Sequence, residues 1–318
     1  MGKSYSSEIL YGLLFLIIVL AGAFFGNITG HAVGENVEVN TRLTVGESYP
    51  AIKDLSLSED IVVLTPNSKK RVYCSAILED FNGENDLDSL NVVMYSSAST
   101  LESADDKNNH YTSSDCEIQK SFSKFGSFVD DEYHALANCA FDLEFFADSG
   151  DWTCFMEVKD KGDLKDSKEK SFDVMELLAL GLPSAIDYGA INATYVSSER
   201  EIGVINYGNV RVNLALSGYG SNYGDGYAMK CDLGEAGIPV GYQKYNLEDS
   251  VPGVLSFSEF EGNYNNLTRN SLVKSYGLNS RDNDEFNDAV DFTYWRIYVP
   301  RGVAGTCSGN IVIGAVKG

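Results

Sequence analysis

The sequence predicts an all-β protein, with two tandem antiparallel β-sandwich domains that follow one N-terminal hydrophobic α-helix. Residues 9–26 are uncharged and mostly apolar. Beyond them, short runs rich in β-branched and aromatic residues alternate with Gly, Asn, Asp and Ser clusters, and no long stretch has helical periodicity. About 290 residues follow the apolar run, which is enough chain for two domains of ordinary size.

The apolar run predicts a membrane anchor. Eighteen residues at 1.5 Å per residue form a helix of roughly 27 Å, close to the hydrocarbon thickness of a bilayer. Lys3 precedes the run and no Lys or Arg follows until Arg42, so the positive-inside rule places the bulk of the chain outside the cell. We therefore expect an anchor or signal over residues 1–30 and an extended juxtamembrane segment over residues 31–45.

The residues are also compatible with two kinds of proteolytic processing at this N-terminus. Gly30, His31 and Ala32 form a small-residue site at which a secretory signal can be cleaved, although the apolar run is longer than most signals. A pilin-type leader cleaved after Lys3 would place Glu8 fifth in the mature chain, but such leaders usually end in Gly or Ala.

The charge of the chain excludes some classes of partner. Lys and Arg total 24 against 46 Asp and Glu, which gives a net charge of −22. Such a surface repels the phosphates of nucleic acids and anionic lipids. A hydrophobic content of 44% is too high for a disordered chain, so a soluble, self-repelling folded surface is expected.

The predicted strands fall into two sets separated by a connector at residues 177–183. The first set accounts for an extended segment and a domain over residues 46–176, and its runs are 37–45, 61–65, 71–78, 90–95, 138–145, 152–158 and 170–174. The second set builds a domain over residues 184–318, and its runs are 186–188, 202–205, 210–216, 227–231, 254–257, 292–299 and 310–316.

The cysteines predict disulfides. All six lie beyond the apolar run, and an even number in an exported chain is typical of disulfide bonding: Cys74, Cys116, Cys139, Cys154, Cys231 and Cys307. No Cys-x-x-Cys pair occurs and the three histidines are far from any cysteine pair, which disfavours zinc. Six cysteines allow fifteen pairings, and a division of four and two between the domains leaves three.

Three Asn-x-Ser/Thr triplets, at Asn27, Asn192 and Asn266, are candidate glycosylation sites and fit an exported chain.

One segment carries a family resemblance. Residues 148–154, D-S-G-D-W-T-C, resemble the D-x-G-x-Y-x-C segment of immunoglobulin-like (Ig-like) sandwiches, in which an aromatic corner stands two residues before the strand-F cysteine. Trp152 replaces the usual Tyr, and its indole N–H can take the place of the hydroxyl. No core Trp lies between the cysteines, so the resemblance is to the broad class and not to antibody domains. The resemblance and the domain division imply three pairs, Cys74–Cys154, Cys116–Cys139 and Cys231–Cys307.

The second domain is similar to Ig-like modules of archaeal and bacterial exported surface proteins. Residues 186–189, I-D-Y-G, with the run 202–210, look like the opening of these modules, and residues 294–309 look like their closing hairpin. Residues 64–68 and 80–83 of the first domain are similar to such modules too. The matching motifs are turns and core positions, so they imply architecture and location and do not imply an activity.

An Asp/Asn-rich loop is a candidate Ca²⁺ site. Residues 80–88, D-F-N-G-E-N-D-L-D, place hard oxygen ligands at alternating positions with a Gly turn, as Ca²⁺ prefers. The spacing departs from the EF-hand loop, and a solvated turn is the alternative. The predicted ligands are Asp80, Asn82, Asp86 and Asp88.

A second loop, residues 218–227, presents Tyr219, Tyr223 and Tyr227, which can stack on sugars or on a partner protein. The alternative is an exposed hairpin tip without a ligand.

The chain carries no recognisable catalytic motif: there is no G-x-S-x-G, no H-E-x-x-H and no P-loop. We therefore expect no enzyme and no cofactor other than Ca²⁺. The sequence favours a membrane-anchored cell-surface protein that is structural or adhesive and binds a protein, a polysaccharide or itself. Two alternatives are a pilin-like subunit polymerising through its N-terminal helix and a secreted carbohydrate-active protein that uses paired carboxylates.

Overall fold

The computed structural model describes residues 39–234, 237–283 and 289–318. Regular structure there is almost entirely β-strand, which confirms the predicted all-β class for this part of the chain. The predicted N-terminal helix, its cleavage sites and Asn27 lie outside the described residues. Within the three described ranges, no helix is both long and apolar enough to cross a membrane.

Nine strands and one 3-10 turn (Glu84–Asp86) build the first sandwich, hereafter sandwich 1. The strands are β1 (Ala51–Leu57), β2 (Ile61–Val62), β3 (Lys70–Glu79), β4 (Leu87–Ser96), β5 (His110–Thr112), β6 (Asp115–Gln119), β7 (His134–Leu143), β8 (Gly150–Asp160) and β9 (Lys165–Val174).

The strand order of sandwich 1 is that of an Ig-like domain. One sheet has the order β1-β3-β7-β6 and the other β2-β9-β8-β4-β5. The Ig-like fold pairs strands A, B, E and D in one sheet and C, F and G in the other. Strands β1, β3, β7 and β6 therefore occupy the A, B, E and D positions, and β4, β8 and β9 occupy C, F and G.

Alternation along the strands builds the core between these sheets. In β3, Val72, Cys74, Ala76 and Leu78 are all 0% exposed. Successive side chains of a strand point to opposite faces, so these residues form one continuous apolar face. The facing sheet supplies the corresponding buried residues of β8, among them Met156 and Val158.

A disulfide and a tryptophan join the two sheets of sandwich 1. Cys74 of β3 is bonded to Cys154 of β8, with 6.7 Å between the Cα atoms. Two residues before Cys154, the buried indole N–H of Trp152 donates a 2.8 Å hydrogen bond to the backbone oxygen of Asp148. This is the contact that the hydroxyl makes in a tyrosine corner. A second disulfide, Cys116–Cys139, links the directly opposed residues of β6 and β7.

The structure describes eleven strands in the second sandwich, hereafter sandwich 2. They are β10 (Leu180–Gly181), β11 (Arg200–Asn206), β12 (Val212–Tyr219), β13 (Tyr227–Gly234), β14 (Ile238–Pro239), β15 (Gln243–Asn246), β16 (Asn265–Asn266), β17 (Leu272–Leu278), β18 (Val290–Ile297), β19 (Val303–Ser308) and β20 (Asn310–Lys317). Between these strands, the described residues also include a 3-10 turn (Val240–Tyr242) and an α-helix (Phe257–Asn263).

One face of sandwich 2 is the sheet β10-β11-β18-β15-β16, in which β11, β18 and β15 occupy the B, E and D positions. The other face has the orders β17-β12-β20 and β14-β13-β19. Strand β12 pairs with β20, and strand β13 pairs with β19. Strands β12 and β13 therefore form one interrupted strand in the C position, and β19 and β20 form one long strand in the F position. The disulfide Cys231–Cys307 links directly opposed residues of β13 and β19.

An arginine is buried under the helix of sandwich 2. Arg296 is 1% exposed, although the alternation of β18 places it on the face opposite Trp295. Its guanidinium donates to the hydroxyl of Tyr264 (3.0 Å) and to the backbone oxygens of Ser197 (2.7 Å) and Gly253 (3.0 Å). The loop and helix at residues 250–264 therefore cover a second face of the sheet, and together with Ser197 they satisfy the buried charge with hydrogen bonds.

Buried amides connect the two sandwiches, which lie in one compact unit, residues 47–318. Asn209 of sandwich 2 is 5% exposed and donates to the backbone oxygens of Ala147 (2.9 Å) and Met175 (3.1 Å). Its side-chain oxygen accepts a 2.7 Å bond from the backbone N–H of Leu177. Ring contact between Phe145 and Tyr207, at 5.8 Å between centroids, adds apolar packing beside these bonds.

Some predicted strands are wrong. Residues 254–257 were expected to be a strand, but Ser256 and Glu259 form a capping box that begins the helix. Residues 186–188 form no strand, and the run 61–65 shortens to Ile61–Val62 because a turn begins at Thr65, just before Pro66. Within the run 37–45, residues 39–45 have no regular structure.

The corner bond of Trp152 yields the first testable prediction. Trp152→Phe removes the donor to Asp148 and leaves a smaller ring between Tyr111 and Phe172, which now lie 6.0 and 6.1 Å from the indole. We expect the free energy of unfolding to fall by about 1–3 kcal/mol, as for a buried acceptor left without its partner. Trp152→Tyr is the matched control, because it restores a hydroxyl at the tyrosine-corner position. Equal losses for Phe and Tyr, measured by chemical denaturation, would contradict a role for the bond.

Candidate metal centre

Three carboxylates converge at the end of sandwich 1 that lies away from sandwich 2. Asp80 directly follows β3, Asp86 closes the 3-10 turn before β4, and Asp160 is the last residue of β8. Each offers an oxygen atom, and these atoms lie within 4.8 Å of one another. Asp80 and Asp160 are both 0% exposed.

Local hydrogen bonds fix two of these carboxylates from one side. Oδ1 of Asp80 accepts from the backbone N–H of Asn82 (2.8 Å) and from the hydroxyl of Ser48 (3.2 Å). Oδ1 of Asp160 accepts a 2.7 Å bond from the backbone N–H of Leu164, across the turn between β8 and β9. These bonds leave the second oxygen of each carboxylate facing inward.

The inward oxygens are the unusual feature of the cluster. In the described part of the chain, Oδ2 of Asp80 and Oδ2 of Asp160 are buried and have no hydrogen-bond partner. Among the residues that the structure describes, no basic side chain forms an ion pair with these carboxylates or with Asp86. Burial raises the pKa of Asp80, and repulsion from Asp86 and Asp160 adds to the rise. A buried carboxylate without a partner is costly, so the cluster needs a cation or a proton.

The donor set fits a hard divalent cation. Ca²⁺ takes six to eight oxygen ligands, including carboxylates that bind through one or both oxygens. Three carboxylates supply up to six oxygens, two of which have no other partner. The same set contains no nitrogen or sulfur ligand, which distinguishes it from a zinc site.

The structure separates the four ligands predicted from sequence. It brings Asp80 and Asp86 together and adds Asp160 to them. The side-chain oxygen of Asn82 accepts from the backbone N–H (2.6 Å) and hydroxyl (2.8 Å) of Ser48 instead. Asp88 is not in the group, and its carboxylate lies 3.8 Å from the ammonium of Lys159.

Asp160 was missed by the sequence reasoning because it lies far from residues 80–88 in the chain. A signal for it was present: both β4 and β8 were predicted as strands, and strands C and F are neighbours in an Ig-like sheet. In the structure Leu87 of β4 is paired with Asp160 of β8. Pairing the predicted strands in that order would have placed the end of β8 beside the loop.

The loop of residues 218–227, hereafter the tyrosine loop, is held in shape by hydrogen bonds to one carboxylate. Asp225 accepts hydrogen bonds from four backbone N–H groups, of which those of Tyr227 and Gly220 are both 3.0 Å long. These bonds, that of Tyr227 first, hold the pKa of Asp225 well below its usual range. Tyr223 is 64% exposed and its ring lies 5.9 Å from that of Tyr219, whereas the ring of Tyr227 contacts the ammonium of Lys230 at 3.1 Å.

The remaining sequence-predicted sites are on the surface. Asn192 lies in an irregular segment and Asn266 on the short strand β16, and both side chains are exposed. An oligosaccharide attached to either residue would therefore enter solvent without displacing packed side chains.

Comparisons with known proteins find no family. No protein-family model matches the chain, and no curated protein matches it. Among solved structures, a chaperone–tip adhesin complex of CFA/I fimbriae matches with 10% identity and a TM-score of 0.29, over 80% of this chain and 77% of that chain. The tandem Ig domains of titin match with 11% identity and a TM-score of 0.25, over 86% and 98%.

The major pilin subunit BcpA of Bacillus cereus matches with 8% identity and a TM-score of 0.25, over 84% of this chain and 66% of that chain. Similarities at this level carry no argument about fold or function. The Ig-like assignment therefore rests on the strand order of the chain itself.

The raised pKa of Asp80 predicts a pH dependence. A carboxyl whose pKa is higher in the folded state stabilises the fold below its unfolded pKa, and this contribution is lost as the pH rises through the folded pKa. In chelator, we therefore expect Asp80→Asn to be more stable than the wild type at pH 7, by about 1 kcal/mol. The advantage should shrink as the pH falls towards about 4. Asp88→Asn is the matched control, and an advantage of Asp80→Asn that does not change between pH 7 and 4 would contradict the argument.

Proposed function

We propose that the chain is an exported structural protein, anchored in the membrane by residues 9–26 and displayed at the cell surface, which acts by binding or display and not by catalysis. The observation that carries this proposal is the way the two sandwiches are tied. Sandwich 1 contains two disulfides and sandwich 2 contains one, and the buried amide of Asn209 holds one sandwich to the other. A rigid tandem of this kind is suited to hold its end loops away from a surface.

The chemistry of the chain supports the location. Disulfides persist outside the cell and are rare in the reducing cytosol. A net charge of −22 keeps such a surface soluble, and the candidate glycosylation sites Asn192 and Asn266 are exposed. The exposed Tyr223 and its neighbour Tyr219 form the best candidate contact for a sugar or a protein ligand.

Labelling of intact cells tests the proposal. A membrane-impermeant amine reagent should label the chain on intact cells, and the labelled chain should remain with the membrane after a high-salt wash. The mass of its N-terminal peptide should correspond to a chain that begins at Met1 or that has lost Met1 alone. Labelling only after lysis would overturn the proposal.

Three other results would each replace the proposal with a specific alternative. Two come from the same experiment, and the third comes from an assay of the purified chain for polysaccharide turnover. A mature N-terminus at Ser4 would indicate a filament subunit that polymerises through its helix. Cleavage beside Ala32, with release from the membrane, would indicate a secreted protein. Turnover of a polysaccharide that is abolished by one Asp or Glu substitution would indicate a carbohydrate-active enzyme.

We further propose that Asp80, Asp86 and Asp160 bind Ca²⁺ and that the ion stiffens the end of sandwich 1. The two unpartnered buried oxygens support this proposal. A bound ion would connect the loop after β3, the turn before β4 and the end of β8, three places that lie far apart in the chain. Asn82 then acts by positioning Ser48 and the loop, because its oxygen already accepts two hydrogen bonds.

Metal removal tests this site. Adding Ca²⁺ at about 100 times its dissociation constant should stabilise the fold by roughly 2.7 kcal/mol relative to chelator. Asp160→Asn should abolish the rise in melting temperature, because it removes a ligand that the sequence loop does not contain. Asp88→Asn should keep the full response. An unchanged melting curve of the wild type in chelator and in Ca²⁺ would leave only an Asp/Asn-rich turn that binds no metal.

A further inference from the structure

The two sandwiches differ at the strand in the F position. In sandwich 1, β8 pairs with β4 on one side and with β9 on the other. In sandwich 2, β20 pairs with β12 on one side, and no residue that the structure describes pairs with its other edge. Unpaired edges of this kind expose a row of backbone donors and acceptors that can bind another strand.

The core of sandwich 2 is open along the same edge. In β8 the inward residues Trp152, Cys154, Met156 and Val158 are at most 1% exposed. The inward residues of β20 also contact their core, but Ile311, Ile313 and Ala315 are only half-buried. Strand β20 therefore has apolar side chains that a further strand of its sheet would cover.

A groove runs beside this edge. Residues 182–186 form one wall and residues 307–313 the other, around a cavity of about 340 Å³. A second cavity of about 450 Å³ continues it past Ile186 along residues 303–307. In the first cavity, Gln243 is 2% exposed, and its side-chain oxygen is buried and has no hydrogen-bond partner among the described residues. We call the two cavities together the strand-accepting groove.

The same chain contains a segment with the sequence pattern of a strand, residues 37–45, and its described part, residues 39–45, pairs with no described strand. In residues 37–45, V-E-V-N-T-R-L-T-V, the odd-numbered positions 37, 39, 41, 43 and 45 share one face of an extended chain, and all but Thr41 are apolar. Residues 39–45 have no regular structure, and Val39, Leu43 and Val45 are 77%, 84% and 74% exposed. Exposed alternating apolar residues of this kind need a surface to cover them.

The segment and the groove match in size and chemistry. Nine extended residues span roughly 30 Å, close to the length of the run 303–313 that borders the groove. The apolar positions of the segment match the half-buried residues of β20. The hydroxyl of Thr41, the one polar residue of the inward face, can donate to the unpartnered oxygen of Gln243.

Chain length excludes insertion into the groove of the same molecule. Ala51 is paired with Glu79 at the end of β3 that lies away from sandwich 2, whereas Lys70 begins β3 at the opposite end. The ten residues of β3 separate these ends by roughly 30 Å. Residues 46–50 connect the segment to Ala51 and reach at most about 20 Å, so the segment of one copy is available only to another copy.

We propose that residues 37–45 of one copy add a strand to β20 of a second copy, in the strand-accepting groove. This inference rests on the proposed structural role and names its partner, a second copy of this chain. The contact joins different surfaces of the two copies, so repetition gives a head-to-tail chain and not a closed dimer. It differs from polymerisation through the N-terminal helix, because its bonds are those of a β-sheet.

Variants of the exposed segment test the proposal without disturbing a folded core. For the full-length chain in detergent, the mass measured by analytical ultracentrifugation should rise with concentration. Leu43→Glu places a charge on the inward face and should weaken association at least about tenfold. Thr44→Glu places the same charge on the outward face and should leave association unchanged. Equal effects of the two variants would overturn the proposal.

Hydrogen exchange identifies the strand that is covered. Amides of residues 310–317 should gain protection as the wild type associates, and the Leu43→Glu variant should lack that gain. A synthetic peptide of residues 36–46 should compete with association, and a peptide of the same composition in scrambled order should not. A wild-type chain that stays monomeric, or amides of β20 that are protected equally in the monomer, would overturn strand addition. Either result leaves the surface location, tested by labelling of intact cells, unaffected.

Discussion

The hydrogen bonds between the C-position and F-position strands are the interaction on which both sandwiches depend. In sandwich 1, β8 pairs with β4 from Ser96↔Trp152 to Leu87↔Asp160. That ladder fixes Trp152 at one end, with the bridged Cys154 two residues further along the strand, and Asp160 at the other end. One strand thereby positions the corner bond, the link between sheets and a ligand of the candidate metal centre.

In sandwich 2 the same pairing has a different consequence. Strands β19 and β20 pair with β13 and β12, and Cys231 lies directly opposite Cys307 within this sheet. The bridge therefore strengthens the pairing of two neighbouring strands and does not cross to the facing sheet. Arg296 and the helix cover the outer face of the facing sheet, while the second edge of β20 pairs with no residue in the described part of the chain. Rigidity and an accessible edge thus coexist in one domain.

The acidic groups of the metal centre and of the tyrosine loop differ in how the protein stabilises their charge. The chain has a net charge of −22, but Oδ2 of Asp80 and Oδ2 of Asp160 are buried and have no hydrogen-bond partner among the described residues. Burial makes this cluster sensitive to protons and cations, because solvent does not screen it. Asp225 is the opposite case: four backbone N–H groups stabilise its charge, so it organises the tyrosine loop and does not need a cation.

The sequence by itself determined the all-β class of the described residues, because a period of two in apolar residues is legible in single strands such as β3. It also showed the acidic loop with Asp80 and Asp86. Tertiary structure alone decided that Asp160 joins them, that Arg296 is buried and that β20 lies at an edge. Each of these depends on which strands become neighbours, and that choice is made by pairing between distant parts of the chain, which no local pattern records.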